Sequence, residues 1–138
     1  GVIPDPNSDQ LSSIAYESSE FHKFLTGNKP KIAFLSFSTK GSAEHYKVKK
    51  VQRAVEIFKK KYPDIIHEGE IQFNVFIFPD LDSANIAYKV TQYLGNYIAL
   101  GPLLQGLNKP VHDLSRGCSV QDIVYVSAIA ALQTKKTV

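Results

Sequence analysis

The feature that most constrains this sequence is an alternation of short apolar runs with longer segments of helical periodicity. The apolar runs are KIAFLSF at 31–37 and EIQFNVFIFPD at 70–80, in which the predicted strand ends at Pro79; both are rich in aliphatic and aromatic residues that favour strands. The helical segments lie at 4–25, 46–62, 83–95 and 119–136. Strands that alternate with helices are typical of proteins in which helical crossovers join parallel strands. The sequence therefore predicts an α/β fold: layers in which helices flank a mostly parallel sheet.

Capping residues mark the expected ends of these helices. Asn7 or Ser8 is predicted to cap the first helix, Ser83 to lie near the start of the third, and Ser119 to cap the last. The predicted inward-facing apolar positions are Leu11, Ile14, Phe21 and Leu25 in the first helix, Val48, Val51, Val55 and Phe58 in the second, and Ile123, Val126, Ile129 and Ala130 in the last.

Composition fits one soluble globular domain. The chain has 138 residues, of which 43% are apolar and 21% are charged, enough for one real core. No apolar run approaches a membrane span and no signal peptide opens the sequence, so we expect no membrane partner. Cys118 is the only cysteine, which excludes an internal disulfide and fits a reducing compartment. We therefore predict a cytoplasmic location.

Seven of the sixteen basic residues lie on the second predicted helix. One interpretation is an anion-attracting face for nucleic acid or a phosphorylated cofactor. The other is a solvated helix face whose C-terminal cations interact favourably with the helix dipole. We favour the second because a charge run is a weak signal and no aromatic residues interleave for base stacking. No nucleic-acid partner is predicted. The basic residues are Lys47, Lys49, Lys50, Arg53, Lys59, Lys60 and Lys61.

The ten residues DLSRGCSVQD at 113–122 combine a helix start with a candidate anion site. Ser119 and Asp122 match the S-x-x-[DE] capping box, in which Asp122 needs no substrate and only accepts a backbone N–H. Ser115, Arg116 and a glycine precede the helix. A guanidinium fork, close backbone approach and a positive helix end together suit a phosphate or oxyanion. The spacing alone leaves the anion site and an ordinary turn equally open.

A second polar loop, STKGS at 38–42, follows the first predicted strand. Thr39, Lys40 and Ser42 lie where open α/β sheets bind ligands, at the carboxyl end of a parallel strand. The alternative is a polar connection in which Ser42 caps the next helix, and the loop lacks the Walker A spacing. Cys118 also has two interpretations: a nucleophile activated by a helix terminus or, more commonly, a small packed residue.

Two chemistries find little support in the sequence. The four histidines show no H-x-x-x-H spacing, and the single cysteine adds no second thiolate, so no metal site is predicted. No G-x-S-x-G elbow is present, which argues against an ordinary hydrolase triad.

Four segments carry a resemblance to a known family: PDPNSDQLSSIAYES, SFSTKGS, NVFIFPDLDSANIAYK and LGPLLQGLNKPVHDLSRGCSVQDIV. Together they resemble phosphate acetyltransferase (phosphotransacetylase) over nearly the whole chain, most specifically at 109–124. The resemblance implies reversible conversion of acetyl-CoA and phosphate to acetyl phosphate and CoA. It implies no bound cofactor, since CoA is a substrate. The implied fold has two α/β domains of isocitrate/isopropylmalate-dehydrogenase-like architecture, with the active site in the cleft between them.

The resemblance also implies roles for individual residues. Asp122 resembles the base that removes the thiol proton of CoA, and Arg116 resembles the residue that holds acetyl phosphate and stabilises its developing charge. Ser115 resembles the hydrogen-bonding partner at the reacting centre. The thiolate attacks the acetyl carbonyl directly, so Cys118 is not needed as a nucleophile. The implied substrate-binding positions are Ser115, Arg116, Cys118, Thr39, Lys40 and Ser42.

The same resemblance implies that parts of the family are absent from this chain. The missing parts are the N-terminal half and a stretch between Phe73 and Asn74. We expect a second α/β domain at 1–98 and a C-terminal segment at 99–138, whose helix packs on the absent N-terminal domain. The chain alone is expected to be weakly active or inactive, and the complete protein to form a homodimer. The sequence also departs from the family at four positions, where the family tends to have glycines and an arginine in place of Ala84, Ala87, Tyr93 and Asn96.

Other functions stay open at this point. Phosphate butyryltransferase and the acyltransferase-like module of bifunctional malic enzymes are near variants of the same class. A non-catalytic α/β domain that keeps the anion loop and binds a ligand is an alternative from a different class.

Overall fold

A computed structural model describes residues 3–38, 44–67 and 74–135 of the chain. The chain divides into two compact units, Ile3–Asn85 and Ile86–Val138. Helix α3 begins in the first unit, and its remaining residues belong to the second. The elements in chain order are α1 Ser8–Thr26, β1 Lys31–Phe34, α2 Tyr46–Lys61, β2 Ile66–His67, β3 Val75–Ile77, α3 Leu81–Tyr93 and α4 Val120–Lys135.

The sheet of the first unit is parallel and has the strand order β2-β1-β3. Ile32 of β1 pairs with His67 of β2 on one side and with Val75 of β3 on the other. This arrangement confirms the predicted α/β class with a parallel sheet flanked by helices. The sequence did not predict β2, because two residues are too few to show an alternating pattern.

The core of the first unit lies between one face of this sheet and helices α1 and α2. Ile32, Val75 and Ile77 are buried on that face together with Phe58 of α2. Side chains alternate between the two faces of a strand, so Phe76 points away from this core and is 54% exposed. The ring of Phe58 is fully buried and has aromatic neighbours on β1, β2 and the turn after α2.

Helix α1 begins as predicted, with a capping box between Asn7 and Gln10. Its buried face differs from the predicted apolar stripe. Leu25 is 42% exposed, a correction, and the positions buried beside Leu11 are small: Ser12, Ala15 and Ser19. Small side chains allow α1 to approach α2 closely, so tertiary packing selected this face over the larger apolar residues.

Helix α2 buries Val48, Val51 and Phe58 as predicted. Val55 is only half-buried, and Ala54 takes the fully buried place on the helix. Four of the seven basic residues of this helix form ion pairs. The pairs are Lys47–Asp80, Lys50–Asp5, Arg53–Glu56 and Lys61–Asp9.

In the second unit, α4 buries only Val126 among its described residues. Ile123, predicted to face inward, is 46% exposed, whereas Ile129 and Ala130 are half-buried. The His112 Nε2 atom lies 2.6 Å from Gln133 Oε1, which joins the stretch before α4 to the end of that helix. Across the described part of the chain, no helix combines the length and apolarity needed to cross a membrane.

Candidate functional site

The segment that precedes α4 forms a tight turn, the Ser-Arg turn, made of residues 115–118. The Cys118 N–H donates to the Ser115 carbonyl oxygen at 3.0 Å, and the Gly117 N–H donates to Ser115 Oγ at 3.2 Å. Arg116 occupies the tip with an exposed side chain. At Gly117, an added Cβ would meet only Ser115 Oγ, at 4.0 Å, so the backbone there is open to a ligand.

The start of α4 carries the predicted capping box. Asp122 Oδ2 accepts from the Ser119 N–H and from the Ser119 hydroxyl, each at 2.8 Å. The Asp122 N–H donates in return to Ser119 Oγ at 3.2 Å. The capping prediction is therefore confirmed, and this carboxylate already has two donors without any substrate.

These hydrogen bonds also set the charge of Asp122. Donation from the Ser119 N–H, and then from its hydroxyl, lowers the pKa of Asp122 below its ordinary value, against a smaller opposing effect of burial. Hydrogen bonds to the charged form stabilise that form, so Asp122 stays ionised at neutral pH. The same bonds make it a weaker proton acceptor.

Tyr88 is a neighbour of Asp122 that sequence reasoning missed. Partial burial raises the pKa of Tyr88, and the negative charges of Asp122 and then Tyr93 add to this effect. The phenol therefore remains protonated and able to donate a hydrogen bond. Tyr88 lies on α3, far from Asp122 in sequence, and no motif links the two positions.

A second polar site lies in the first unit, where β1 and β3 end. This carboxyl-edge pocket has a volume of about 330 Å³. In the sheet, β2 and β3 lie on opposite sides of β1, and ligands of open α/β sheets bind where connections diverge from neighbouring strand ends. The lining residues are Leu35, Ser36, Phe37, Lys47, Phe78, Pro79, Asp80 and Ser83.

Asp80 organises the polar side of the carboxyl-edge pocket. Its Oδ1 accepts from the Ser83 N–H at 2.9 Å and from the Ser83 hydroxyl at 2.7 Å, which caps α3. Its Oδ2 lies 3.3 Å from Lys47 Nζ. The two bonds from Ser83, followed by Lys47, lower the pKa of Asp80 from 3.8 to about 2. The carboxylate raises the pKa of Lys47 in return, so both groups are charged at neutral pH.

The structure brings some predicted site residues together and does not describe others. Ser115, Arg116 and the half-buried Cys118 lie in one turn, and Asp122 lies in the helix turn that follows it. Thr39, Lys40 and Ser42 lie outside the described residues. Asp80 and Lys47 were not among the predicted site residues. Their sequence signal was the position of Asp80 directly after a predicted parallel strand.

The described residues include no candidate metal site. Within residues 3–38, 44–67 and 74–135, no group of three or more histidine, cysteine, aspartate or glutamate side chains could hold an ion.

Fold and local sites together define an α/β protein that presents an arginine turn at a helix N-terminus and a charged pocket at parallel strand ends. Sequence comparison makes the class specific, because the profile described as phosphate acetyl/butaryl transferase matches residues 1–75 and 72–131. The chain belongs to this family.

Relatives and solved structures agree with this assignment. The chain is 45% identical to the phosphate acetyltransferase of Thermoanaerobacterium thermosaccharolyticum over 156 aligned positions, covering 97% of this chain and 48% of the relative. It is 43% identical to the Bacillus subtilis phosphate acetyltransferase, with coverage of 93% and 46%. A phosphotransacetylase structure from Streptococcus pyogenes matches with a TM-score of 0.90 at 42% identity, covering 99% of this chain and 48% of that one. The EutD phosphotransacetylase from Staphylococcus aureus gives 0.85 at 42% identity, covering 96% and 48%.

The chain thus spans about half the length of the relatives that it matches.

Proposed function

We propose that the complete protein interconverts acetyl-CoA plus phosphate with acetyl phosphate plus CoA, and that this chain supplies its C-terminal portion. The observation that carries the proposal is the Ser-Arg turn, whose exposed Arg116 precedes the N-terminus of α4. Family membership and relatives described as phosphate acetyltransferases support the same reaction.

In this proposal, Arg116 binds the phosphoryl group of acetyl phosphate. A guanidinium donates two parallel hydrogen bonds to phosphate oxygens, and the helix N-terminus adds positive potential. Ser115 donates its hydroxyl hydrogen to the reacting group while Oγ keeps accepting from the Gly117 N–H. The CoA thiolate forms a C–S bond with the acetyl carbon, the C–O bond to phosphate breaks, and the phosphate leaves with the electron pair. Arg116 stabilises the charge that accumulates on that leaving group.

Asp122 is the proposed acceptor of the thiol proton. An ordinary thiol with a pKa near 8.5 and a carboxyl near 3.9 already differ by about 4.6 units against this transfer. The bonds from Ser119 lower the pKa of Asp122 and widen the difference. Proton transfer therefore requires that binding of substrate desolvate Asp122 or lower the thiol pKa, which the positive charge of Arg116 does. The proposal predicts that Ser119 releases part of its donation when substrate binds.

The remainder of the family's length is the proposed partner of α4. Val120 is 78% exposed, and Ile123, Val124 and Leu132 of the same helix are also exposed. Apolar side chains in this number on one helix need a covering surface. The missing half of the family's length supplies that surface. The proposed division into domains at 1–98 and 99–138, and the isocitrate/isopropylmalate-dehydrogenase-like architecture, depend on that half.

An internal stretch of the family is also proposed to be absent between Phe73 and Asn74. Two observations support this. The family profile matches in two pieces that meet at 72–75, and the alignment with the Thermoanaerobacterium relative runs over 156 positions, more than the 138 residues of the chain. Genomic sequence that encodes further family residues between these two codons is the expected finding. Uninterrupted codons would contradict it.

A chimaera tests the proposed activity. The part of the Thermoanaerobacterium relative that this chain does not cover is fused before it, and a second chimaera also restores the relative's residues between positions 73 and 74. Acetyl-CoA formation is measured from acetyl phosphate and CoA, with butyryl phosphate as a second substrate to reveal acyl preference. We expect turnover in a chimaera and little or none in the unfused chain, because the reaction needs the missing half. Full turnover by the unfused chain would contradict this.

Variants of the active chimaera separate the roles of the two charged residues. Arg116→Ala should lower turnover by about 100-fold or more, the usual effect of removing a donor to a developing anion. Arg53→Ala, an exposed arginine paired with Glu56, is the matched control and should change nothing. Asp122→Asn should lower turnover and make the turnover rate depend more strongly on pH. Ser119→Ala removes the helix cap and should lower the free energy of unfolding by about 1 kcal/mol. If Asp122→Asn lowers only stability, its role is capping alone.

Two further parts of the proposal concern the cellular setting. A homodimer is proposed for the complete protein and is measured by light scattering of the active chimaera. A cytoplasmic location is proposed because CoA esters and a free Cys118 thiol suit a reducing compartment.

A further inference from the structure

A second pocket lies at the opposite edge of the sheet from the carboxyl-edge pocket. This amino-edge pocket has a volume of about 490 Å³ and is formed where β1 and β2 begin. Its walls come from the second half of α1, the connection from α1 to β1, and the turn from α2 to β2. Small-molecule sites in proteins usually have volumes of about 300 to 1,000 Å³. The proposed reaction assigns no role to this pocket.

Three lysines give the amino-edge pocket a net positive charge. Lys23, Lys29 and Lys61 line it, against two carboxylates, Glu20 and Asp64. The ammonium groups of Lys23 and Lys29 make no ion pair or hydrogen bond with any residue in the described part of the chain. Lys61 lies 3.9 Å from Asp9, and both side chains are more than half exposed, so this pair is weak. The cationic groups are thus available to an anion.

Aromatic rings form the apolar side of the same pocket. Tyr16 and Tyr62 line it and stack on each other with centroids 4.2 Å apart and planes inclined by 11°. Tyr62 also packs against the buried ring of Phe58 at 5.1 Å, which fixes the pair to the core. Pro30 and Ile65 extend the apolar lining. A flat apolar group would therefore meet a rigid wall and lose little further entropy on binding.

The backbone around the pocket is held in place before any ligand arrives. Asn74 Nδ2 donates to the Lys29 carbonyl oxygen at 3.3 Å, and Asn74 Oδ1 accepts from the Lys31 N–H at 2.8 Å. The turn after α2 is closed by the Ile65 N–H, which donates to the Tyr62 carbonyl oxygen at 3.2 Å. The segment that carries Lys29 and the segment that carries Tyr62 are therefore both fixed.

We propose that the amino-edge pocket binds a small organic anion with a flat apolar body, such as an aromatic phosphate ester or carboxylate. Its ring packs against the tyrosines and its charge pairs with Lys23 and Lys29. The ligand would join α1, the α1–β1 connection and the α2–β2 turn. Binding would therefore stabilise the first unit against unfolding. This pocket shares no residue with the Ser-Arg turn, so the proposal does not depend on the proposed reaction.

The test uses phenyl phosphate as the probe. Inorganic phosphate, which has the charge without the ring, and phenol, which has the ring without the charge, are the comparison ligands. Each compound is titrated into the 138-residue chain with the Arg116→Ala substitution, so that binding at the Ser-Arg turn is removed. We expect phenyl phosphate to bind at least about tenfold more tightly than either part and to raise the unfolding temperature. NMR shifts should be largest at Tyr16 and Tyr62. Equal affinity for phosphate and phenyl phosphate would overturn the proposal.

Paired lysine variants then locate the charge. The double substitution Lys23→Gln with Lys29→Gln should weaken phenyl phosphate binding about tenfold, since two partly exposed ion pairs are lost. The control is Lys59→Gln with Lys60→Gln, which removes equal charge from exposed positions outside the pocket and should change affinity less than about twofold. Equal losses in both double variants would show general attraction to a basic surface and would also overturn the proposal. Because binding is measured, a failure of the proposed acyltransfer leaves this outcome unaffected.

Discussion

Replacing Asp80 with asparagine should remove a pH-dependent part of the stability of the first unit. The carboxylate accepts two hydrogen bonds from Ser83 and pairs with Lys47. These interactions depress its pKa from 3.8 to about 2. Asparagine keeps an acceptor oxygen for Ser83 but loses the charge. The depression corresponds to at most about 2.5 kcal/mol, and solvent screening of this partly exposed pair reduces it to about 1 kcal/mol.

The sign of the effect follows from the direction of the shift. A carboxyl group whose pKa is lower in the folded state than in the unfolded state stabilises the fold at pH values above its unfolded-state pKa. For Asp80 this contribution is complete above pH 3.8 and is lost as the pH falls through about 2. The difference in free energy of unfolding between the native chain and Asp80→Asn should therefore be about 1 kcal/mol near neutral pH and approach zero at about pH 2.

Denaturant unfolding followed by far-UV circular dichroism, repeated across this pH range, measures that difference. Asp82→Asn is the matched control, because Asp82 is exposed in the same first turn of α3 and makes no hydrogen bond with a described residue. Its effect should be small and nearly constant with pH. A constant difference for Asp80→Asn as well would refute the reasoning, since the stabilisation would then not come from the charged form of Asp80.

Two further substitutions test the packing of the first unit. Phe58→Ala should cost about 3 to 5 kcal/mol in unfolding free energy, because the ring is fully buried, whereas Phe76→Ala, at an exposed position of β3, should cost less than about 1; similar losses would mean that the core is elsewhere. Lys50→Met should cost about 1 to 2 kcal/mol and increase amide exchange near Asp5, because Lys50 donates to Asp5 and to the carbonyl preceding Asp80. The exposed neighbour Lys49→Met is its control, and equal exchange in the two variants would contradict this role.

Local sequence signals predicted the parts of the fold that depend on near neighbours. The caps at Asn7 and Ser119 were predicted because a side-chain oxygen satisfies N–H groups only two or three residues away. The parallel α/β class followed from the order of apolar runs and helical segments. The Ser-Arg turn was predicted as a candidate anion site because all of its residues are contiguous in the sequence.

Features formed by distant residues did not follow from the sequence. Lys47 and Asp80 meet across 33 positions because two strand ends converge, and Tyr88 approaches Asp122 because the two residues lie in the same compact unit. No periodicity encodes either meeting. Each one depends on the order of the elements in space.

Burial shows the same division between local and tertiary information. The sequence by itself determined the four helical segments and the apolar runs that form β1 and β3, where α1 and α4 begin, and which loop carries Arg116, since propensity, capping and turn chemistry act over a few residues. Only the tertiary structure decided that α1 buries Ser12 and Ser19 while Leu25 is exposed. The physical reason is that helix packing selects the face that fits closely against its neighbour, and that choice depends on shape at the contact as well as on hydrophobicity.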